Sequence, residues 1–544
     1  MTERRIVKAM LLIALLISMA GVIFIILAYS TYYFHSDCAG YLFLAKEQLA
    51  QKRMFPEGFE YTTDIFFLTP SVTMIPFLAI LHNELLAHEL GILFYIAVIC
   101  VLVFQLFWDK RKAAVIVVTF FLFPLSWVVI DMFFSQGAYL TSCLFKTVLL
   151  IAVRYVFQCE RKGSFKKLGT ALGCYLIIGF LVNFAVIRGI ATDMLPILFA
   201  FAAMILLREG ISVEGALKQK KLLLYSVCTI VIIAGAGIHY VRLCNKLGYE
   251  SPSLSIGLSD SEAFCQNISK MPSLVLSLMG WTATESLFSI TTIRSCALLV
   301  YIIVSQIAVP LYLLTKVNRI SDKFMQFVVL FVNLSNFITV FVMVGSGQME
   351  SRYYLPVYFN NLLLWGLMGK WFLDEWYDKL KMIPAVVTLS ITICVHGLYI
   401  QGVPDQWKQN INLFHPKADM EHQNFYNFLL DRGLTYGYAT FWNAYPITVL
   451  SNEEIIVVAH DAGSPTVPYF FNENTTQPYR YYAVSKEYYD VELHSGRCFV
   501  LVLAGETIPE AYYQLAEEIL MYEGFTILVY EKNIHAYPQL AAAQ

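Results

Sequence analysis

Charge is scarce in this sequence. Asp, Glu, Lys and Arg make up 14% of the 544 residues and hydrophobic residues 58%, with a mean hydropathy of +0.60. A soluble domain carries charge on roughly 25% of its residues, so an ordinary soluble protein is excluded and a polytopic membrane protein is implied. With a net charge of −2 the chain has no basic excess to neutralise phosphates, which argues against a nucleic-acid partner. Several motifs are missing as well. There is no G-x-x-x-x-G-K-[ST] loop to cradle ATP, no G-x-G-x-x-G after a strand, and no H-E-x-x-H. The 11 cysteines have no metal-ligand spacing. Cys100, Cys143, Cys174, Cys228 and Cys394 lie inside apolar runs, where a thiol acts as a small hydrophobe. The segment HNELLAHE (82–89) places Glu84 and His88 one helical turn apart, but His82 and His88 face different directions, so it does not read as a zinc site. No internal repeat or low-complexity segment occurs.

What the chain does have is apolar length. Eleven runs can cross a hydrocarbon core of roughly 30 Å: 10–29, 90–107, 113–130, 138–157, 168–187, 194–207, 222–241, 293–314, 324–344, 353–369 and 383–400. The first, behind the basic TERRIVKAM, reads as a retained span with its basic end in the cytoplasm. Basic clusters at Lys110–Lys112, Arg161–Lys167, Arg208–Lys221, Lys316–Lys323 and Lys370–Lys381 belong on the cytoplasmic side. All five fall there if 66–81 does not span. Pro70 and Pro76 interrupt that stretch, which reads as an interfacial helix. The carboxyl end then lies outside the cytoplasm.

This topology gathers ionisable residues into the external connections. Asp37, in YYFHSDCAGYLFLAKEQLAQ, is a carboxylate just beyond the first span, where a charge is costly without a partner or a task. The stretch after it reads as an interfacial helix, with Leu42, Ala45 and Leu49 on one stripe. Asp37 could also serve simply as the N-cap of that helix. Asp131, Arg188, Asp193, Glu350 and Arg352 occupy other external connections and could share a cavity with Asp37. A charge at a helix end is also what solvent exposure alone would allow. Within VGSGQMESRYYLPVYFNNLLLWGL (344–367) a glycine-rich turn delivers Glu350 and Arg352 to the lip of a helix, with Tyr353 at the interface level that aromatic rings prefer. The Arg352 guanidinium suits a lipid phosphate, because it can form two parallel charged hydrogen bonds.

The tail changes in composition, with turn signals at SPTVP, NENTTQP and HSGR. IIVVAH (455–460), CFVLVLAG (498–505) and FTILVYEK (525–532) read as strands. IPEAYYQLAEEILMYEG (508–524) reads as an amphipathic helix ended by glycine. Tyr469, Tyr479, Tyr481, Tyr482, Tyr488 and Tyr489 would suit sugar stacking or plain packing. The fold expected is therefore an all-α polytopic membrane domain over 1–400, with about eleven transmembrane helices plus interfacial helices, followed by a small extracytoplasmic α/β domain over 401–544.

An early Asp in the first external loop, two interfacial helices after the first span and R-Y-x-x-P at the start of a late span resemble the GT-C membrane glycosyltransferases, including protein O-mannosyltransferases and aminoarabinose transferases. GLTYGYATFWNAYPITVLSNEEIIVVA (433–459) is similar to a segment that opens the external domain in some bacterial members. The resemblance implies a cell-envelope transferase that takes a sugar from a polyprenyl phosphate and passes it, with inversion, to a glycan or protein acceptor. Asp37 would be the general base and Arg352, with Arg188, would offset charge on the leaving phosphate. Asp131 would orient the acceptor or a divalent cation. Many members carry an acidic pair in the first loop, whereas His35 and Ser36 precede Asp37 here. One rival, a structural scaffold displaying the tail, explains the topology but not the ionisable residues gathered on one side; the other is a non-enzymatic transporter or flippase of lipid-linked glycans, which would want charges buried mid-helix. Lys146 is the main candidate for such a charge.

Overall fold

The computed structural model describes residues 3–542 apart from 60, 62–64, 66, 110, 162–163, 186, 211–212, 250–256, 258, 282–289, 376–382, 403–416, 461–483 and 504. Tyr469, Tyr479, Tyr481, Tyr482 and the turn signals SPTVP and NENTTQP lie outside the described residues. Among the described residues eight helices are long and apolar enough to cross a membrane: Arg5–Ser30, Glu84–Leu106, Leu140–Arg161, Phe165–Asn183, Ile190–Glu209, Lys220–Leu247, Ser295–Thr315 and Lys323–Ser346. The expected runs 353–369 and 383–400 fall in the helices Leu355–Glu375 and Ile383–Gly402.

Among the described residues eleven spans are therefore not confirmed, and the run at 113–130 does not form one unbroken helix. Its helix stops at Phe121, and the chain restarts only at Trp127, where the Ser126 hydroxyl accepts from the Val129 N–H at 3.3 Å. Pro124 lies in the gap; it lacks a donor and pushes the preceding residue out of the helical region. Hydropathy alone does not register that break. Among the described residues of 66–81 the one helix is Ser71–Leu78, begun after Pro70 and carrying Pro76 inside it.

Two compact units divide the chain. One comprises Met1–Ile23, Thr63–Phe67 and Tyr95–Pro404; the other comprises Phe24–Thr62, Leu68–Phe94 and Asp405–Gln544. The tail thus shares its unit with the first loop, a grouping wider than 401–544.

In the helical unit, Leu140–Arg161 packs on Phe165–Asn183, which packs on Lys220–Leu247, while Leu195–Glu209 packs on Lys323–Ser346. Small residues set the spacing. A Cβ on Gly179 would meet Ile232 Cδ1 at 2.5 Å, and one on Gly366 would meet Val117 Cγ2 at 2.7 Å, so these glycines let neighbouring helices approach. Aromatic rings fill what remains, Phe201 lying 4.8 Å from Phe327 between centroids.

The second unit holds a five-stranded mixed sheet in the order β2-β1-β3-β5-β4. Its strands are β1 (Tyr436–Ala439), β2 (Ile456–Ala459), β3 (Cys498–Leu503), β4 (Glu518–Tyr522) and β5 (Phe525–Tyr530). β2, β1 and β3 run parallel; β5 and β4 continue antiparallel. The helix expected over 508–524 is confined to Glu510–Leu515, and β4 follows it. Glu523 and Gly524 both have positive φ, 41° and 90°, and Tyr522 pairs with Phe525. Gly524 therefore closes a two-residue hairpin of the primed kind and is not a helix stop. The intervening helix Phe441–Leu450 packs on β2.

Gly437 sits mid-β1, where a Cβ would meet the Phe499 ring at 2.5 Å. Gly437→Ala should destabilise this unit by about 1–3 kcal/mol through overpacking, read as a lowered melting temperature of the detergent-purified protein. Gly169→Ala, where nothing lies within 4 Å of the added carbon, serves as the control.

Candidate functional site

In the helical unit a polar cluster forms where chain breaks meet. Lys323–Ser346 ends on Gly347, whose φ of 72° makes the left-handed cap, and the 3₁₀ turn Ser351–Tyr354 then leads into Leu355–Glu375. That turn presents Arg352, as the glycine-rich spacing predicts. Its Nε lies 2.6 Å from Glu350 Oε2, and the guanidinium stands 5.3 Å over the Tyr353 ring, a cation–π arrangement. Arg188, exposed in the short helix Ile187–Gly189, reaches the same place. Tyr139, just before Leu140, feels Tyr353, Arg188, Arg352 and Glu350 together. Burial is the largest influence on its phenol and raises its pKa; Tyr353 and Glu350 add to this while Arg188 and Arg352 oppose it. Tyr139 is therefore a neutral hydrogen-bond donor at physiological pH. Burial lowers the Arg352 pKa, but Tyr353, Glu350 and Tyr139 outweigh it and the net shift is upward.

Four of the residues singled out from sequence thus come together: Arg188, Glu350, Arg352 and Tyr353. Among the described residues, two guanidiniums and one carboxylate act on Tyr139 there. Tyr139 was not foreseen, since a lone tyrosine before a span carries no signal of its own.

Asp131 occupies a widened π turn, Ile130–Ser135, half-buried. The preceding turn Trp127–Val129 packs against Ser351–Tyr354. Asp193 lies elsewhere. Expected in an external connection, it is 3% exposed, within the apolar helix Ile190–Glu209 and 3.4 Å from the fully buried Lys146. The connection 188–193 is helical, and a second π turn, Ile190–Met194, turns Asp193 inward.

From Lys146 a polar chain runs through the helices. Lys146 donates to Asn360 Oδ1 at 3.2 Å, Asn360 to Asn336 Oδ1 at 2.9 Å, Asn336 to Asn361 Oδ1 at 2.7 Å, and Asn361 to Gln306 Oε1 at 2.8 Å. Asn360 also donates to Ser335, whose hydroxyl donates to the Thr192 carbonyl at 2.6 Å. Asn360 and Asn361, adjacent in an apolar helix, were the available sequence signal for this network.

Asp37 belongs to the other unit. It lies in the first turn of Ser36–Gln51, half-buried, but it is not the cap: His35 Nδ1 accepts from the Asp37 N–H at 3.3 Å. The capping reading of Asp37 therefore passes to His35. The Asp37 carboxylate occupies a position where the free N–H groups of a helix start favour negative charge. In the sheet, burial lowers the pKa of His460 to about 3, which makes it a neutral core residue bonded to the Tyr512 hydroxyl at 2.8 Å.

No protein-family model matches the sequence, and no curated protein matches it.

Removing one member of a buried ion pair leaves the other charge uncompensated, at a cost of roughly 3–5 kcal/mol. Lys146→Met should accordingly lower the melting temperature sharply, and Lys146→Met combined with Asp193→Leu should recover most of the loss. Equal melting of the single variant and wild type would remove the pair from the stabilising contacts.

Proposed function

We propose that the chain is an integral-membrane glycosyltransferase that moves a sugar from a polyprenyl phosphate to an acceptor outside the cytoplasm, with inversion. The observation that carries this reading is the convergence of Arg188, Arg352, Tyr139 and Tyr353 beside apolar helices. A phosphate ester with a lipid tail needs cations and donors at its head and apolar surface alongside. In this reading the basic clusters face the cytoplasm and the tail lies outside. No nucleotide-binding fold is then needed, because the donor is carried by lipid.

The chemistry balances on named groups. The acceptor hydroxyl forms its bond to the anomeric carbon as its proton passes to a carboxylate base, the role that the resemblance gives to Asp37. The bond from that carbon to the phosphate oxygen breaks, and its electron pair leaves with the phosphate. Arg352 and Arg188 offset the charge that develops there, Tyr139 donates a hydrogen bond, and Glu350 fixes the Nε edge of Arg352. Asp131 orients the acceptor or a divalent cation.

The buried Lys146–Asp193 pair favours a second reading, transport of a lipid-linked glycan, since mid-helix charges often line such paths. The double variant Lys146→Met with Asp193→Leu separates the two. A transporter would lose flux, whereas the transferase keeps turnover because its reacting groups are elsewhere.

Arg352→Ala should weaken use of the lipid donor by roughly 1.5–3 kcal/mol, the worth of a hydrogen bond to a charged group, with little change in melting. Arg352→Lys should recover part of it, keeping the charge but losing the fork. A donor titration with detergent-purified protein measures both, and identical titrations for wild type and Arg352→Ala would take Arg352 out of the site.

Asp37→Asn is nearly isosteric and leaves the His35 cap in place, yet it cannot take a proton. Sugar transfer should fall on the order of 10²–10⁴-fold with matched melting curves. A near wild-type rate would refute Asp37 as the base.

A further inference from the structure

The first-loop helix Ser36–Gln51 is gripped along its length by the tail, within one compact unit. At its start, the Ser36 hydroxyl donates to the Phe441 carbonyl, and His35 meets Trp442 edge-on with centroids 5.7 Å apart. In its middle, Phe43 packs on Tyr445 and on Tyr488, each at 5.3 Å. In its second half, Lys46 lies between two carboxylates, those of Glu84 at 2.5 Å and Glu453. Tyr488 donates its hydroxyl proton to Glu453, and the Glu84 N–H donates to Asn452 Oδ1 at 3.0 Å.

The turn that supplies Asn452 and Glu453 is unusual. Both residues are left-handed, with φ of 50° and 64°. Asparagine accepts that region; glutamate seldom does, and such strain persists only where the surroundings over-determine it. A turn needed only to reverse the chain would be better served by glycine. The Ser451 hydroxyl accepts from the Ile455 N–H at 3.2 Å, closing the loop, so that both side chains are held toward Lys46 and Glu84.

We propose that Lys46 and the Ser451–Glu454 turn form a clasp by which the tail positions the first-loop helix, making Lys46 and Glu453 positioning residues for Asp37. The link to Asp37 rests on its role as base; the clasp does not. Lys46 is nine residues from Asp37 on one rigid helix, so release at the clasp lets the first turn shift while leaving donor and acceptor contacts in place. The tail is then part of the framework that holds the first-loop helix.

Charge reversal tests this on the full chain. Lys46→Glu and Glu453→Lys should each speed amide exchange across 36–51 by about tenfold, as local opening becomes easier, and the double reversal should restore part of the protection, since Glu84 still faces position 46. Transfer should follow the same pattern, kcat falling about tenfold in each single variant and recovering in part in the double, with donor and acceptor KM unchanged. Glu453→Gln, which removes charge without placing a cation beside Lys46, keeps the test valid if a reversal fails to fold. Unchanged exchange in Lys46→Glu and Glu453→Gln would overturn the clasp. Restored exchange without restored kcat would overturn its link to Asp37. Absence of any transfer by wild type would sink the glycosyltransferase reading instead, and amide exchange would still decide the clasp.

Discussion

A polar group inside a hydrocarbon slab has no water to turn to, so its partner must come from the protein. The chain running from Asp193 through Lys146, Asn360, Asn336 and Asn361 to Gln306 obeys that constraint. It joins side chains from five helices, each of which would be slippery on apolar grounds alone, since lipid tails compete equally well for leucine and phenylalanine. An amide ladder has one register in which every donor finds an acceptor. Shifting Leu355–Glu375 along its axis by a full turn would carry both Asn360 and Asn361 away from their partners. Apolar packing supplies area, and this network selects the arrangement.

Irregular backbone recurs where polarity is introduced. Asp131, Asp193 and the Ser305–Gln306 pair all lie in π turns. A widened turn offsets the helical hydrogen-bond ladder and re-aims side chains without ending the helix. At Asp193 this carries a carboxylate inward from a stretch that hydropathy marks as a connection, and the Thr192 carbonyl accepts from Ser335. The lip cluster relies on a different device, a glycine cap followed by a 3₁₀ turn, and keeps Arg352 about one-third exposed. One construction buries charge and satisfies it; the other leaves charge accessible.

The elements that sequence disclosed well were those governed by local rules. The apolar runs, the proline-broken 66–81 stretch, the glycine-led delivery of Glu350 and Arg352, and the strands at 455–460, 498–505 and 525–532 all follow from composition and turn chemistry. Failures came where a local pattern had two meanings. Glu523-Gly524 ends a helix or turns a hairpin, and only the partner strand decides which. The run at 113–130 is apolar throughout, so Pro124 was outvoted in a hydropathy window. Asp193 and Lys146 are far apart in sequence, so their pairing was invisible. Asp37 suits a cap because its carboxylate can accept from the free N–H groups of a helix start, yet His35 fills that place.

The second unit is assembled from opposite ends of the chain, and this imposes an order of events on synthesis. Ser36 and Phe441 are 405 positions apart. At 5–20 residues per second the first-loop helix waits roughly 20–80 s for the segment that completes it. During that interval Lys46 has Glu84 nearby but no Glu453, and Phe43 has neither tyrosine to cover it. The helical unit is therefore synthesised before this second unit can be completed, and a chain stopped before about residue 440 leaves that apolar face of the first-loop helix uncovered. Only a ribosome that reaches the last quarter of the message supplies the residues that close the first loop.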